Sequence, residues 1–426
     1  MKIAILAVGS QGDVQPYAAL GRGLVGAGHT ITLASHETFR ALAKRCGIDF
    51  SLISGNPMEI VHGPQGQSWL SSSDSYFSFL SRARKMAADI YPQMSRDALA
   101  AARGAEALIY SLPLTVCGYT VAAALRIPGI PAALYPLHPT SAFPSIMTPN
   151  LSLGRTFNWL SGFGVMRLYW SIIRSLLKDF HEAQGLGRMP QAVPFFVIEK
   201  QGTPFLYGYS PSVVPTPTGW PSTRAASGYW FLEDAPEWEP EARLSDFLAE
   251  KPEPIYVGFG SMTSGDPEAM THIILEALQR TGQRAVLSTG WGGFHSADLP
   301  KFVLPVGFVP HQWLLARVSM AVHHGGAGTT AAVLKAGTPS IIVPFFADQF
   351  FWGKRIHDLG IGPKPIPRKA LSVESLEKGI RCVLENSLMA ERAKEMASNI
   401  KGEDGVSAAV AAVENYLRSM TRRSIA

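Results

Sequence analysis

Along the first half of the chain, short unbroken apolar runs alternate with stretches whose apolar residues recur every three or four positions. "IAILAV" from Ile3 reads as a strand, "VQPYAALGRGLVGAGH" as a helix that Gly28 is placed to end, and "TITLAS" as the next strand. "ALIYSL" from Ala107 and "PAALYP" from Pro131 continue the series. Strands that are apolar at every position, rather than at alternate ones, belong to parallel sheets covered on both faces. The texture changes between Pro204 and Pro254, where "SPSVVPTPTGWP", "EDAPEWEPEA" and "KPEP" crowd prolines and acids together. The rhythm then restarts: strand "PIYVGFGS", helix "PEAMTHIILEALQRTG", strand "RAVLSTG", strand and turn "VSMAVHHGGAG", helix "TTAAVLKAG", strand "PSIIVPF". A last helical pattern, "GVSAAVAAVENYLRSM", is placed to lean back across the linker. The expected organisation is an α/β protein with a first domain over residues 1–232, a linker over 233–252, a second domain over 253–405 and a returning helix over 406–426. In open parallel sheets ligands bind beyond the carboxyl ends of the strands, which singles out the loops after Val8, Phe259, Val322 and Pro344.

Length agrees with two domains, since 426 residues exceed what one core usually holds. A chain with 46% hydrophobic and 17% charged residues is globular, not disordered. The net charge of +5 suits an anionic small ligand. No basic block is long enough to point to nucleic acid, and the Arg422–Arg423 pair is too short to count. Cys46, Cys117 and Cys382 are odd in number and far apart, which argues against a disulfide framework or a zinc site and for a reducing cytoplasm. The start "KIAILAV", seven residues with one lysine, is too short for a signal core or a membrane span. The longest apolar stretch, from Tyr119, is broken by Arg126 and four prolines. "RTFNWLSGFGVMRLYWSIIRSLLKDF" interleaves cations and aromatics at roughly helical spacing; an amphipathic packing helix is its first reading, and a peripheral membrane contact its second.

Three of the singled-out loops carry candidate chemistry. In "HHGGAGTTAAVLKAG" the bend Gly325–Gly326–Ala327–Gly328 bares backbone N–H groups directly before a helix opening at Thr329 and Thr330. Such a corner binds anions, a diphosphate commonly, and His324 adds a donor. The other reading is a tight strand-to-helix turn with a capping threonine. In "FFADQFFWG" Asp348 and Gln349 stand among aromatics, as a clamp for vicinal hydroxyls or as a solvated loop tip. In "VGSQGDVQP" Asp13 is either a helix cap or a carboxylate able to take a proton from a hydroxyl.

The span from "FVPHQWLLARVSMAVHHGGAG" to "FFADQFFWGKRIHDLGIGP" resembles the donor-binding region of family 1 glycosyltransferases, most closely the sterol 3-β-glucosyltransferases and related bacterial antibiotic glycosyltransferases. "VGSQGDVQPYAALGRGL" resembles the same group's N-terminal loop, and "YVGFGSM" its serine turn at the head of the second domain. The resemblance implies a GT-B architecture, two Rossmann-like domains facing each other across a cleft, and an inverting transfer from a nucleotide-sugar. Carried over, His324 and the backbone of Gly326, Ala327, Gly328 and Thr329 would hold the diphosphate, with Ser10, Gly12 and Ser261 beside the donor. Phe308, Val309 and His311 fall where plant relatives hold the base, Asp348 and Gln349 where the family grips the sugar, and Asp13 at the proposed general base of bacterial relatives. The histidine base of plant members is missing from the first loop, and their ribose-binding glutamate falls at Ala332; sterol-type and antibiotic-type members share both departures.

The expectation is therefore transfer of glucose from UDP-glucose to a lipophilic acceptor such as a sterol or triterpenoid, with Asp13 and His324 catalytic and neither metal nor cofactor required. The acceptor would lie against aromatics of the first domain, Trp69, Phe77 and Phe143 among them. A transferase using TDP- or UDP-sugars on an antibiotic or polyphenol aglycone is the alternative. Two rivals are weaker: an NAD-dependent enzyme, for which no G-x-G-x-x-G is present, and a nucleotide-sugar-binding protein without catalysis.

Overall fold

The computed structural model describes residues 1–425 except 56–75, 113–116, 149–152, 225, 233–237, 261–266, 289–298 and 346; the side chains of 76–87, 267 and 421–425 are likewise not described. The described chain forms two compact units, one from residues up to 232 together with 403–425, the other from 238 to 402.

In the first unit β1 (Lys2–Leu6), β2 (Thr30–Ser35), β3 (Asp49–Leu52), β4 (Ala107–Ser111), β5 (Gly129–Ala133) and β6 (Leu206–Tyr207) form one sheet in the order β3-β2-β1-β4-β5-β6. All the pairings are parallel. Its helices are α1 (Gln11–Gly26), α2 (Arg40–Arg45), α3 (Tyr76–Ala102), α4 (Cys117–Leu125), α5 (Gly154–Ala183) and α6 (Pro194–Lys200). Ile3, Ile5, Leu6, Leu33, Leu108 and Ile109 are wholly or almost wholly buried, which is why these strands are apolar at successive positions. Gly28, at φ +87°, takes the left-handed conformation that turns the chain from α1 into β2.

The second unit comprises α7 (Ala242–Ala249), β7 (Ile255–Gly258), α8 (Pro267–Thr281), β8 (Ala285–Ser288), β9 (Val303–Val306), α9 (His311–Leu315), β10 (Met320–His323), α10 (Ala327–Ala336), β11 (Ser340–Ile342), α11 (Gln349–Asp358), α12 (Val373–Leu384) and α13 (Ser387–Lys401). Its five parallel strands run β11-β10-β7-β8-β9. Alternation along β7 feeds two cores: Ile255 and Val257 pack with Ile274, Ile341 and Ile380, while Tyr256 packs with Val286, Leu304, Leu315 and Val333. Each sheet thus reverses its strand order once, between β1 and β4 and between β7 and β10. A crevice opens at such a reversal because the connections on either side diverge.

The stretch expected as a linker differs in its described part. Residues 242–249 form α7, whose Leu244 is buried in the second unit's core, and Trp238 meets Trp313 edge to face at 5.0 Å. Proline and acid mark the solvent side of this segment, while its Trp, Leu and Phe residues hold it to the sheet. The final helix, α14 (Gly405–Ile425), packs in the first unit. Val406 lies where Gly23 of α1 has no side chain, Tyr416 hydrogen-bonds Thr203 at 3.0 Å, and the Glu403 carboxylate accepts from Ser210 at 2.7 Å.

Candidate functional site

After β1 the chain turns at Gly9 (φ +128°) into α1, with Ser10 in the N-cap position. Asp13 Oδ2 accepts from the Ser10 N–H at 2.8 Å and from the Ser10 hydroxyl at 2.7 Å. A Cβ at Gly9 would lie 2.7 Å from that oxygen, so glycine is required both for the turn and for the close carboxylate. Oδ2 thus closes the helix start, while Oδ1 takes no hydrogen bond from the described residues. Sequence alone suggests an ordinary aspartate pKa. Here the surrounding protein mass pushes the value up although the side chain's own surface reaches solvent, and the Ser10 bonds pull it down by less.

In the second unit the glycine turn stands at the strand-order reversal. His323 pairs with Gly258 across β10 and β7, so the turns following these two strands are neighbours. The His324 ring lies between them. A Cβ at Gly260 (φ +60°) would come within 3.2 Å of its Cε1, and a Cβ at Gly326 within 2.5 Å of its Nε2. Gly325 (φ +85°) brings the chain against Ile342 and the Gln349 backbone, where a Cβ would meet Cγ2 at 2.6 Å and the carbonyl oxygen at 3.2 Å. Three glycines thus clear the space that one imidazole and the start of α11 occupy.

The helix begins two residues earlier than the sequence pattern suggests. Gly326 is the N-cap, Ala327 and Gly328 already belong to α10, and no threonine side chain caps it. Its first turn-closing bond runs from Thr330 N–H to Gly326 O at 2.9 Å, which leaves the N–H groups of Ala327, Gly328 and Thr329 ahead of the ladder. The capping-threonine reading is not realised, since no side chain closes the start of α10.

His324 has its pKa pushed down to about 4, first by burial and then by His311, with the Gly258 carbonyl acting weakly the other way. It is therefore neutral at pH 7. Its Nδ1 has no hydrogen-bond partner among the described residues. His323 is fully buried, and its Nδ1 accepts from the Gly325 N–H at 3.2 Å, which ties the turn to the end of β10. His311 bonds Tyr256 through Nε2 at 3.1 Å, and burial lowers its pKa. Phe308 is 67% exposed at the carboxyl end of β9, an open aromatic face, whereas Val309 is half-buried against the second core. Ala347 holds φ +54° just before Asp348. The Asp348 carboxylate accepts from Trp352 Nε1 at 2.9 Å, and Gln349, 4% exposed, accepts from the Phe345 N–H at 2.8 Å.

Two family descriptions match the chain: glycosyltransferase family 28 N-terminal domain over residues 3–143, and erythromycin biosynthesis protein CIII-like C-terminal domain over residues 288–412. The fold matches the calicheamicin glycosyltransferase CalG4 with a TM-score of 0.69 at 19% identity, covering 98% of each chain. The chain has the GT-B fold and carries two glycosyltransferase domain matches. The glycosyltransferase of kitacinnamycin is comparably similar to this GT-B chain, with a TM-score of 0.70 at 18% identity over 97% of this chain and 98% of that one. Its sequence is 36% identical to the sterol 3-beta-glucosyltransferase of Aspergillus clavatus over 97% of its own length, and 33% identical to that of Saccharomyces cerevisiae strain YJM789 over 99%. This GT-B chain spans 29% and 36% of the lengths of those two relatives, about a third.

Of the residues that family resemblance singles out, His311, His324, Gly326, Ala327, Gly328, Thr329, Asp348 and Gln349 stand around or beside the glycine turn, with Phe308 and Val309 leading into α9. Ser10, Gly12, Asp13 and Phe143 belong to the first unit. Ser261 and Trp69 lie outside the described residues, as does the side chain of Phe77. Sequence reasoning missed Gly260 and the Tyr256–His311 pair. A second glycine turn after an apolar strand was the available signal for the first; nothing local announces the second. It also missed His138, whose Nδ1 meets the Tyr207 hydroxyl at 2.6 Å inside a box of Phe205, Trp220 and Phe196.

Proposed function

We propose that this GT-B protein transfers glucose from UDP-glucose to a hydroxyl of a lipophilic acceptor, a sterol or triterpenoid, with inversion at the anomeric carbon. The observation that carries the reading is the corner where His324 packs between the Gly260 and Gly326 turns at the opening of α10. Amides at a helix start, together with an imidazole, offset the charge that develops on a departing diphosphate. Losing one such donor typically costs about 10²–10³ in turnover. Phe308 offers a face to the base, with Val309 beside it, and Asp348 and Gln349 are assigned to the sugar hydroxyls. Asp13 is the base that removes the acceptor proton as its oxygen attacks, a role worth roughly 10²–10⁴. This mechanism invokes no metal and no cofactor. The sterol 3-beta-glucosyltransferases among the relatives support glucose and an oily alcohol as the substrates. A second reading, a TDP-sugar and an antibiotic aglycone, is favoured by the thymidine diphosphate held by two structural neighbours, SsfS6 and SpnG.

The test is a panel of UDP-glucose, UDP-galactose and TDP-sugars against sterols, triterpenoids and polyphenols, with products read by mass spectrometry. A hexosyl adduct formed from UDP-glucose on a sterol or triterpenoid is expected. Products from TDP-sugars alone would move the assignment to the second reading. Nucleotide-sugar binding with neither transfer nor hydrolysis would make the protein a binding module.

A further inference from the structure

We propose that the outer face of α5 docks the first unit onto an anionic lipid surface. The helix buries one side through Gly162, Met166, Trp170, Ile173, Leu177 and His181, at the spacing of an ordinary packing face. Its outward side is not ordinary. Of the ten large apolar side chains exposed among the described residues, Met147, Leu153, Trp159, Leu160 and Leu168 fall within this helix and the segment leading into it. Leu153 is 63% exposed and Leu160 54%, and Leu160, Arg167, Leu168 and Ser171 follow one another along a single exposed stripe. Trp159 is held rigidly: it stacks on Phe163 at 5.5 Å, Phe163 stacks on Phe196 at 6.2 Å, and the Arg167 guanidinium lies 5.7 Å over the Phe163 ring.

Charge names the occupant. No aspartate or glutamate occurs between Glu106 and Asp179, while Arg126, Arg155, Arg167, Arg174 and Lys178 do. Arg155 and Arg167 are exposed beside the apolar residues. An exposed face of leucine and tryptophan with Arg155 and Arg167 beside it, and the acids of α5 (Asp179 and Glu182) confined to its far end, matches the boundary of an acidic bilayer, where leucine and tryptophan enter the interface and arginine meets the headgroups. A protein partner would have to supply both an apolar groove and a surplus of acid. No helix among the described residues is long and apolar enough to cross a membrane, so the contact proposed is a surface one. It stands whichever acceptor is used, because it reads lipid binding and not transfer.

The experiment is vesicle flotation of the full chain with phosphatidylcholine alone and with phosphatidylcholine containing phosphatidylserine, at low and high salt. The wild type is expected to float with the acidic vesicles, and much less so with neutral vesicles or at high salt. Both Leu153→Ser/Leu160→Ser/Leu168→Ser and Arg155→Glu/Arg167→Glu should weaken that binding roughly tenfold or more, with melting temperatures unchanged because every site is exposed. Variants that bind as well as the wild type, or a wild type that ignores acidic vesicles, overturn the proposal. So does a wild type that forms dimers by sedimentation which the leucine variant abolishes, without vesicle binding; that result would assign the face to a second copy.

Discussion

His324 and Asp13 are displaced from their ordinary pKa values in opposite directions by the same cause, lost solvation from the surrounding protein mass, which disfavours the charged form of each. For His324 the unfolded chain takes up a proton near 6.5 and the native chain only near 4, so stability falls as pH falls through that window, by about 1.4 kcal/mol per pH unit for each such imidazole. His138, His311 and His323 are lowered too and act with the same sign. Chemical denaturation at pH 7 and pH 5 should show the loss, and His324→Gln should flatten the slope by about one proton. The Asp13 carboxyl must be ionised to act as a base, so the acid limb of turnover should lie above the usual aspartate value of 3.8. Asp13→Asn keeps the shape, including an acceptor oxygen for Ser10. It should leave nucleotide-sugar affinity by calorimetry nearly unchanged and cut transfer by about 10²–10⁴. The residue types were legible in the sequence, and their ionisation was not, because burial comes from neighbours distant in the chain.

At the scale of elements, the strand–glycine–helix corners were readable where the local pattern is dense. The apolar run of β10, the bend and α10 follow one another within seventeen residues, Met320 to Ala336, so backbone geometry and sequence coincide. The start of α10 was misplaced by two residues because Ala327 and Gly328 look like part of a loop, although their amides open the helix. Gly326→Ala tests the corner directly. Its φ of −63° and ψ of 147° suit alanine, but the new Cβ would lie 2.5 Å from His324 Nε2. The ring must move, and donor affinity should fall roughly tenfold or more while the melting temperature shifts by only a few degrees. The segment 233–252 shows the converse. Prolines and acids are a weak guide when Trp238, Leu244 and Phe247 among them are held against a sheet contributed by residues far downstream.

For the whole molecule, the chain's ends meet in one unit: α14 covers α1 and buries Ala409, Val413 and Leu417. Leu417→Ala should cost about 2–5 kcal/mol of the first unit's stability. Hydrogen exchange should then quicken in α1 and β1–β5 and stay unchanged in β7–β11. The sequence by itself determined that there are two parallel-sheet units, which loops lie at the ends of their strands, and that a histidine–glycine turn opens a helix. Each of these depends on periodicity and on the backbone freedom of residues adjacent in the chain. Only the tertiary structure decided the strand order that sets the β7 and β10 turns side by side and the glycine clearances that lodge His324 between them. It alone also decided the burial that neutralises that ring and which face of α5 is left bare. Those features are distances between segments far apart in the chain, and local pattern carries no information about them.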